Sequence, residues 1–378
     1  MAEFTRQLLR SRVCASHIAR SRRFFVTHAV PDYSKIAPTV AFSFDIDGVL
    51  LRGAQALEEG KAALKLLDQH KIPYILLTNG GGKPESARVA ELSEKLGVEI
   101  SEQQFVQSHT PYKRLVMSYQ KVLVIGGPRS GNACRKVAQN YGFKDCVTAA
   151  DIVAANPAVW PFHSFSGAEL QDPTFVRPLS EAPFDAVLVF NDSRDWGTDI
   201  QIMMDVLTSK RGKLGTSTAP KREQTVPVYF SNNDLLWANE YSLPRFGQGA
   251  FRTAVEQVFE DFTGEKLSST IIGKPFLFTF EYAHTVLKRW REHKYGYTHD
   301  LKHVYMVGDN PESDIRGGNG YGWMTLLVRT GVYRDGDKFD HSMSHVAPST
   351  PSETLDDVLK AVKFGIDNEH KLQHLESS

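Results

Sequence analysis

The chain has 378 residues, with 44 Lys+Arg balanced by 44 Asp+Glu. That length exceeds one typical domain, and the zero net charge argues against a general nucleic-acid binder, which is usually basic. The three cysteines, Cys14, Cys134 and Cys146, include no C-x-x-C spacing, so a zinc site or disulfide framework is not expected.

Residues 1–30 stand apart. Arg6, Arg10, Arg12, Arg20, Arg22 and Arg23 face a single acid, Glu3, with Leu8, Leu9, Val13 and Ile18 interspersed. This is the composition of an amphipathic mitochondrial presequence, cleaved near Arg23-Phe24-Phe25; the alternative is a disordered basic tail. No apolar run reaches the roughly 18 residues that span a bilayer. Pro31 to Pro38 reads as a linker.

Val40 to Phe44 is an apolar run that reads as a buried strand. It ends at Asp45-Ile46-Asp47-Gly48. A carboxylate pair at the carboxyl end of a strand invites a divalent metal, a covalent aspartate nucleophile, or both. The plain alternative is a turn with solvated acids. Ala56 to His70 reads as a helix. Pro73 to Leu77 is a strand that runs into Thr78-Asn79-Gly80-Gly81-Gly82, and Pro84 opens a second helix that ends at Gly97.

A new set of α/β units begins near Pro111. Strands are expected at Lys121–Gly127, Phe184–Asn191 and Val226–Asn233, with helices over Arg129–Tyr141 and Asp199–Lys210. Asn156 to Pro183, rich in Pro, reads as a long loop. The helix Ala250 to Phe262 follows. Thr270-Ile271-Ile272 is then a strand into Gly273-Lys274-Pro275, and Phe276 to His293 is a helix. Val304 to Val307 runs into Gly308-Asp309-Asn310-Pro311-Glu312-Ser313-Asp314. Trp323 to Val328 is expected to close the sheet, and Ser352 to Phe364 is a terminal helix. Alternating strands and helices predict parallel sheets with right-handed crossovers.

The four strand ends, in this order, resemble the haloacid dehalogenase superfamily of phosphohydrolases. Leu-Leu-Thr-Asn-Gly together with Val-Gly-Asp-Asn resembles its subfamily IIA. Phe-Asp-Ile-Asp-Gly-Val-Leu-Leu-Arg-Gly with Thr78-Asn79-Gly80-Gly81-Gly82 resembles the mitochondrial group named after cat eye syndrome critical region protein 5. The resemblance covers roughly residues 38 to 345. It implies a Rossmann-like α/β core over 38–111 and 241–345 and an inserted α/β cap over 112–240; residues 346–378 read as a C-terminal helix and tail. Related enzymes often pair through their caps, which suggests a homodimer.

The resemblance also implies a chemistry. Asp45 is the nucleophile that forms an aspartyl-phosphate and binds Mg²⁺. Asp47 protonates the leaving oxygen and then deprotonates water, while its backbone carbonyl is a metal ligand. The dehalogenases lack this second aspartate, because a halide leaves without a proton. Thr78 and the N–H groups of Asn79 and Gly80 hold phosphate. Lys274 offsets the charge of Asp45 and the phosphate. Asp309 completes the metal site, supported by Asn310 and Asp314. The expected activity is a mitochondrial, matrix-located Mg²⁺-dependent phosphatase of a small phosphorylated substrate. Alternatives are a phosphotransferase, a lipid- or glycerol-phosphate enzyme, or a binding or assembly protein that keeps the fold without turnover.

Weaker candidates remain. Gly126-Gly127-Pro128-Arg129-Ser130-Gly131 resembles a phosphate loop but lacks dinucleotide spacing. Asn191-Asp192-Ser193-Arg194-Asp195-Trp196 and Asn232-Asn233-Asp234 are either substrate-facing or polar loops. The histidines show no ligand spacing.

Overall fold

The structure is a computed structural model and describes residues 33–127, 132–237, 245–337 and 347–376. The expected presequence lies outside the described residues. β1 (Val40–Phe44) leads into a short hairpin of β2 (Leu51–Arg52) and β3 (Gln55–Ala56), followed by α1 (Glu58–Gln69), β4 (Tyr74–Leu77), α2 (Glu85–Leu96) and β5 (Phe105–Val106). A second series holds β6 (Lys121–Ile125), α3 (Ala133–Tyr141), β7 (Asp145–Val147), α4 (Ala149–Ala155), α5 (Gly167–Gln171), β8 (Ala186–Val189), α6 (Trp196–Leu207) and β9 (Val228–Phe230). A hairpin of β10 (Leu236–Trp237) and β11 (Arg245–Phe246) then precedes α7 (Gln248–Thr263) and β12 (Ser269–Ile271). The chain finishes with α8 (Leu277–Tyr295), β13 (His303–Gly308), α9 (Arg316–Tyr321), β14 (Met324–Val328), β15 (Glu353–Leu355) and α10 (Val358–Glu376).

These strands form two parallel sheets. The first has six strands in the order β15-β14-β13-β1-β4-β5, the second five in the order β12-β9-β8-β6-β7. Both are covered on both faces, which is why their strands are continuous apolar runs rather than alternating ones. In the first sheet, Phe42, Phe44, Tyr74 and Tyr305 pack toward α1, α2 and α10. Their neighbours along the strands, Ala41, Ile75, Val304 and Met306, pack on Phe280, Ala283 and Leu287 of α8. The period-2 alternation of a strand sorts the residues between the two layers. The second sheet does the same, with Leu123, Val187 and Phe230 toward α4, α6 and α7 and Val122, Val124 and Leu188 toward α3.

Three boundaries differ from expectation. The second unit does not end near residue 240. β12 pairs in parallel with β9, and Phe251, Val255 and Phe259 of α7 are buried in the second sheet's core. The return to the first sheet therefore follows Ile271. β14 does not close the first sheet, because Leu326, Leu327 and Val328 pair onward with Glu353, Thr354 and Leu355 of β15. The C-terminal segment is not a tail: Val358, Ala361, Val362 and Ile366 of α10 are fully or almost fully buried in the main core. The long loop over Asn156 to Pro183 contains the short helix α5, started by a capping box of Ser166 and Glu169. β5, β7 and α4 were not anticipated, since two- and three-residue strands carry too little periodicity to read.

Ile366 separates a core helix from a peripheral one. Ile366→Ala should lower unfolding stability by about 2–5 kcal/mol in denaturant titration. A change below about 0.5 kcal/mol, usual for a surface site, would return α10 to the periphery.

Candidate active site

The first sheet reverses its strand order about β1, and ligands in such sheets bind at the carboxyl ends of the strands beside the reversal. Three predicted motifs meet there: Asp45 directly after β1, Thr78 directly after β4 and Asp309 directly after β13. The fourth arrives from elsewhere. Lys274 follows β12, an edge strand of the second sheet, so both sheets build the site.

Lys274 is 1% exposed. Its Nζ donates to Asp45 Oδ1 (2.5 Å), Asp314 Oδ1 (2.6 Å) and the carbonyl of Leu77 (2.9 Å). Burial disfavours its charge, but Asp314 and Asp45 outweigh that and raise its pKa. Carboxylate oxygens of Asp45, Asp309 and Asp314 lie within 4.8 Å of one another, all buried. Burial pushes the Asp45 pKa well up, with Lys274 opposing and Asp314 and Asp309 adding to the rise. Asp309 is pushed up to about 7, first by burial and then by Asp314. Its Oδ2 accepts from Val332 N (2.6 Å).

Three buried carboxylates against one buried ammonium leave a negative excess made only of hard oxygen donors. That set fits Mg²⁺, which takes carboxylate oxygens and few of them. Asp45 and Asp309 would hold it. Asp314 is already committed to Lys274 and to Asn310 N (3.1 Å), which agrees with a supporting role. Asn310 in turn accepts from Glu312 N (2.9 Å) at the start of a π-helical turn over Pro311–Ile315. Gly48 must stay bare here: its φ is +88° and an added Cβ would sit 2.4 Å from Asp309 Oδ2.

Asp47 stands outside the buried cluster and is exposed. The protein walls around it still desolvate the carboxyl and raise its pKa, against the pull of Arg88 and Lys274. Asp45 and Asp47 are thus two carboxyls in two environments. Thr78 Oγ1 accepts from Gly80 N (3.0 Å), so its hydroxyl proton points to other acceptors while Gly80 N–H is engaged locally. The Asn79 side chain has another task from the one expected of its backbone. Its Oδ1 accepts from Lys274 N (2.7 Å), and its Nδ2 donates to Lys274 O (3.0 Å) and Asp234 Oδ2 (3.2 Å). Asn232 Nδ2 donates to Asn79 O (3.2 Å). Asn79 therefore clamps the lysine's backbone, and the Asn232-Asn233-Asp234 loop braces Asn79.

One group escaped the sequence reading. His109 is fully buried. Its Nε2 accepts from Gly82 N (3.1 Å), and its Nδ1 lies 2.7 Å from Tyr141 Oη. The Tyr141 hydroxyl donates to Glu85 Oε1 (2.5 Å), which also accepts from Thr110 Oγ1 (3.1 Å). Burial pushes the His109 pKa down to about 4, so the imidazole is neutral with its proton on Nδ1. No ligand spacing marks this residue; the Ser-His-Thr-Pro step between the two units was the only signal.

Known proteins place the chain in a class. A family model for haloacid dehalogenase-like hydrolases matches residues 42–144, and a second HAD-hydrolase-like model matches residues 271–365. The chain belongs to the haloacid dehalogenase-like hydrolases. It is 45% identical over 335 residues to a mitochondrial hydrolase of Saccharomyces cerevisiae, covering 84% of this chain and 92% of that one. It is also 45% identical over 311 residues to a fusion of cardiolipin synthase (CMP-forming) and a mitochondrial hydrolase in Schizosaccharomyces pombe, covering 82% of this chain and about half of that one (51%). Both names agree with the mitochondrial localisation expected from the Arg-rich leader. Solved structures of the same fold include p-nitrophenyl phosphatase from Archaeoglobus fulgidus (16% identity, TM-score 0.56, 86% of this chain and 98% of that one). NagD from Escherichia coli K-12 is similar in fold (18%, TM-score 0.55, 85% and 98%).

The metal fit has a pH signature. A carboxyl whose folded pKa is about 7 lies above its unfolded value of about 3.9. Without metal, its contribution to stability falls as pH rises between those values and is constant above the upper one. A bound divalent cation displaces the proton and reverses that loss. The rise in melting temperature caused by Mg²⁺ should therefore grow from about pH 5 to about pH 7 and then level off. Asp309→Asn should remove the pH-dependent part of the rise.

Proposed function

We infer that the protein is a Mg²⁺-dependent phosphatase of small phosphate esters that works through an aspartyl-phosphate on Asp45. The observation that carries this reading is geometric: Asp45 is buried against Lys274 and beside Asp309, while Asp47 is exposed outside that cluster. One carboxyl is held by the lysine as a nucleophile, and the other is placed to exchange a proton with a leaving group or water.

Asp45 Oδ attacks phosphorus in line with the ester oxygen, forming the acyl phosphate as the ester P–O bond breaks. Asp47 gives its proton to the departing oxygen, and its carboxylate then takes a proton from the water that cleaves the acyl phosphate. Lys274 holds Asp45 in place and balances charge as the phosphoryl group arrives. The Thr78 hydroxyl donates to a phosphoryl oxygen, with backbone N–H groups of Asn79 and Gly80 turning to it. Bound Mg²⁺ would supply the positive charge that keeps Asp45 and Asp309 ionised and screens the phosphate.

A second reading, a lipid-phosphate substrate, draws on two observations. Leu235, Leu236, Trp237 and Phe246 are exposed, Phe246 by 70%, directly beyond the Asp234 that bonds Asn79. One relative is fused to cardiolipin synthase. An aromatic and aliphatic lip beside a phosphate site suits an interfacial substrate.

Phosphate release from an ester panel with Mg²⁺ should vanish in Asp45→Asn. A binding or assembly role without turnover would give no release from any ester. Asp47→Asn should slow alkyl phosphates by about 10²–10⁴-fold and p-nitrophenyl phosphate far less, because nitrophenolate leaves without a proton. Equal slowing of both would remove Asp47 as proton donor. For the lipid reading, Trp237→Ser with Phe246→Ser should reduce release from phosphatidic acid in vesicles and spare glycerol phosphate. An equal effect on both substrates would exclude it.

A further inference from the structure

α8 carries two stripes of apolar residues. Phe280, Ala283 and Leu287 are fully buried against the first sheet. Tyr282, Val286 and Trp290 recur four residues apart, so they share the adjacent face of the helix. Arg289 and His293 flank them at the same spacing. On this side the first sheet ends at β5, a strand of only two residues. The second stripe therefore has no further strand opposite it among the described residues.

A groove of about 400 Å³ lies between this stripe and the 3₁₀ turns Glu102–Gln104 and Thr110–Leu115. That volume is in the range that holds a small molecule. The floor is apolar: Phe105 and Trp290 are almost fully buried, and Tyr282 and Val286 are half-buried beside them. The rim is polar: Lys113, Arg289, His293 and Glu102 line it and are exposed. Lys113 Nζ lies 3.3 Å from Glu85 Oε1 and 4.7 Å from the centre of the Tyr141 ring. Arg289 makes no hydrogen bond or ion pair with a described residue; its charge acts on the neighbouring Tyr282 hydroxyl, whose pKa it opposes burial in lowering. A solvated arginine is ordinary on a flat surface. Beside an apolar floor, its planar fork of donors is matched to a carboxylate whose body lies on that floor.

We propose that this groove binds a small organic monocarboxylate with an apolar body, which rests on Trp290, Tyr282, Val286 and Phe105 while Arg289 and Lys113 hold the carboxylate. Glu102 on the same rim disfavours a ligand with several negative charges, so a polyphosphate does not suit the groove. Lys113 ties the site to the turn after Thr78. Its present partner, Glu85, accepts from Tyr141 and Thr110, and Tyr141 meets the His109 that receives the Gly82 N–H. A ligand carboxylate and Glu85 therefore compete for one ammonium. Removing the charge of Glu85 should favour the ligand.

Calorimetric titration of the full chain with 2-naphthoate and with octanoate tests the groove without substrate or metal, so the result stands apart from the phosphatase reading. One site is expected. If naphthoate is the tighter ligand, the body is aromatic; if octanoate is, the body is an acyl chain. The uncharged amide of the tighter acid should bind about tenfold more weakly or less well still. Arg289→Gln and Lys113→Met, both at exposed positions, should each weaken the acid by about fivefold or more. Glu85→Gln should tighten it, and Val286→Glu, which puts a carboxylate on the floor, should abolish it; circular dichroism checks that each variant is folded. Failure of both acids to bind the native chain overturns the proposal. So does equal binding of the amide, or a folded Glu85→Gln variant that binds no tighter. Binding that either the Arg289 or the Lys113 substitution leaves unchanged also overturns it, and moves the acid to another apolar surface such as Trp237 and Phe246.

Discussion

The buried ammonium of Lys274 is the interaction on which the catalytic arrangement depends. A lone charge with almost no solvent contact is strongly disfavoured, and only close, hydrogen-bonded partners offset its desolvation. Lys274 has them in Asp45, Asp314 and the Leu77 carbonyl. Those partners belong to the first sheet, whereas the lysine follows a strand of the second. The ion pair can therefore form only when both sheets are in place. The charge balance of Asp45 and the docking of the two units are one structural condition.

The Gly80-Gly81-Gly82 turn is held by the same kind of cross-unit contact. On one side, a Cβ on Gly81 would come within 2.8 Å of the His109 ring; on the other, a Cβ on Gly82 would strike Asn191. The turn is threaded between the connecting segment and the second unit, so neither Gly81 nor Gly82 has room for a side chain. His109 receives the Gly82 N–H and passes its own proton toward Tyr141 on α3, which donates to Glu85 at the head of α2. The donors run in one direction and end on a carboxylate. A protonated imidazole would turn an N–H against the Gly82 N–H, and burial prevents that. The turn after Thr78 is thus referenced to α3 through a neutral histidine.

The parts of the site legible in the sequence were those written in consecutive residues. Asp45 and Asp47, Thr78, Lys274 and Asp309 each follow an apolar run and could be assigned a strand end. Their convergence came from the order of the motifs. What stayed hidden is long-range pairing. The Asn79–Lys274 clamp joins residues 195 apart and the Lys274–Asp45 pair residues 229 apart. No periodicity reveals that β12 joins the second sheet, because three residues fit either sheet equally well. β15 was missed for the same reason, and with it the core role of α10. His109 was unreadable because its role is to accept a backbone N–H, which leaves no spacing pattern.

The two sheets share a topology but carry different chemistry at their reversal points. The first crevice gathers Asp45, Asp309 and Asp314 around one lysine, a set that requires added positive charge. The second mixes both signs: Arg135 is held by Asp151, and Arg194 shares its crevice with Asp195 and Asp199. The demand for a cation is therefore confined to the first sheet. The charges that fix Asp45 are buried and paired across the two sheets, whereas Arg194 is exposed, so residues around the second crevice can change without disturbing them.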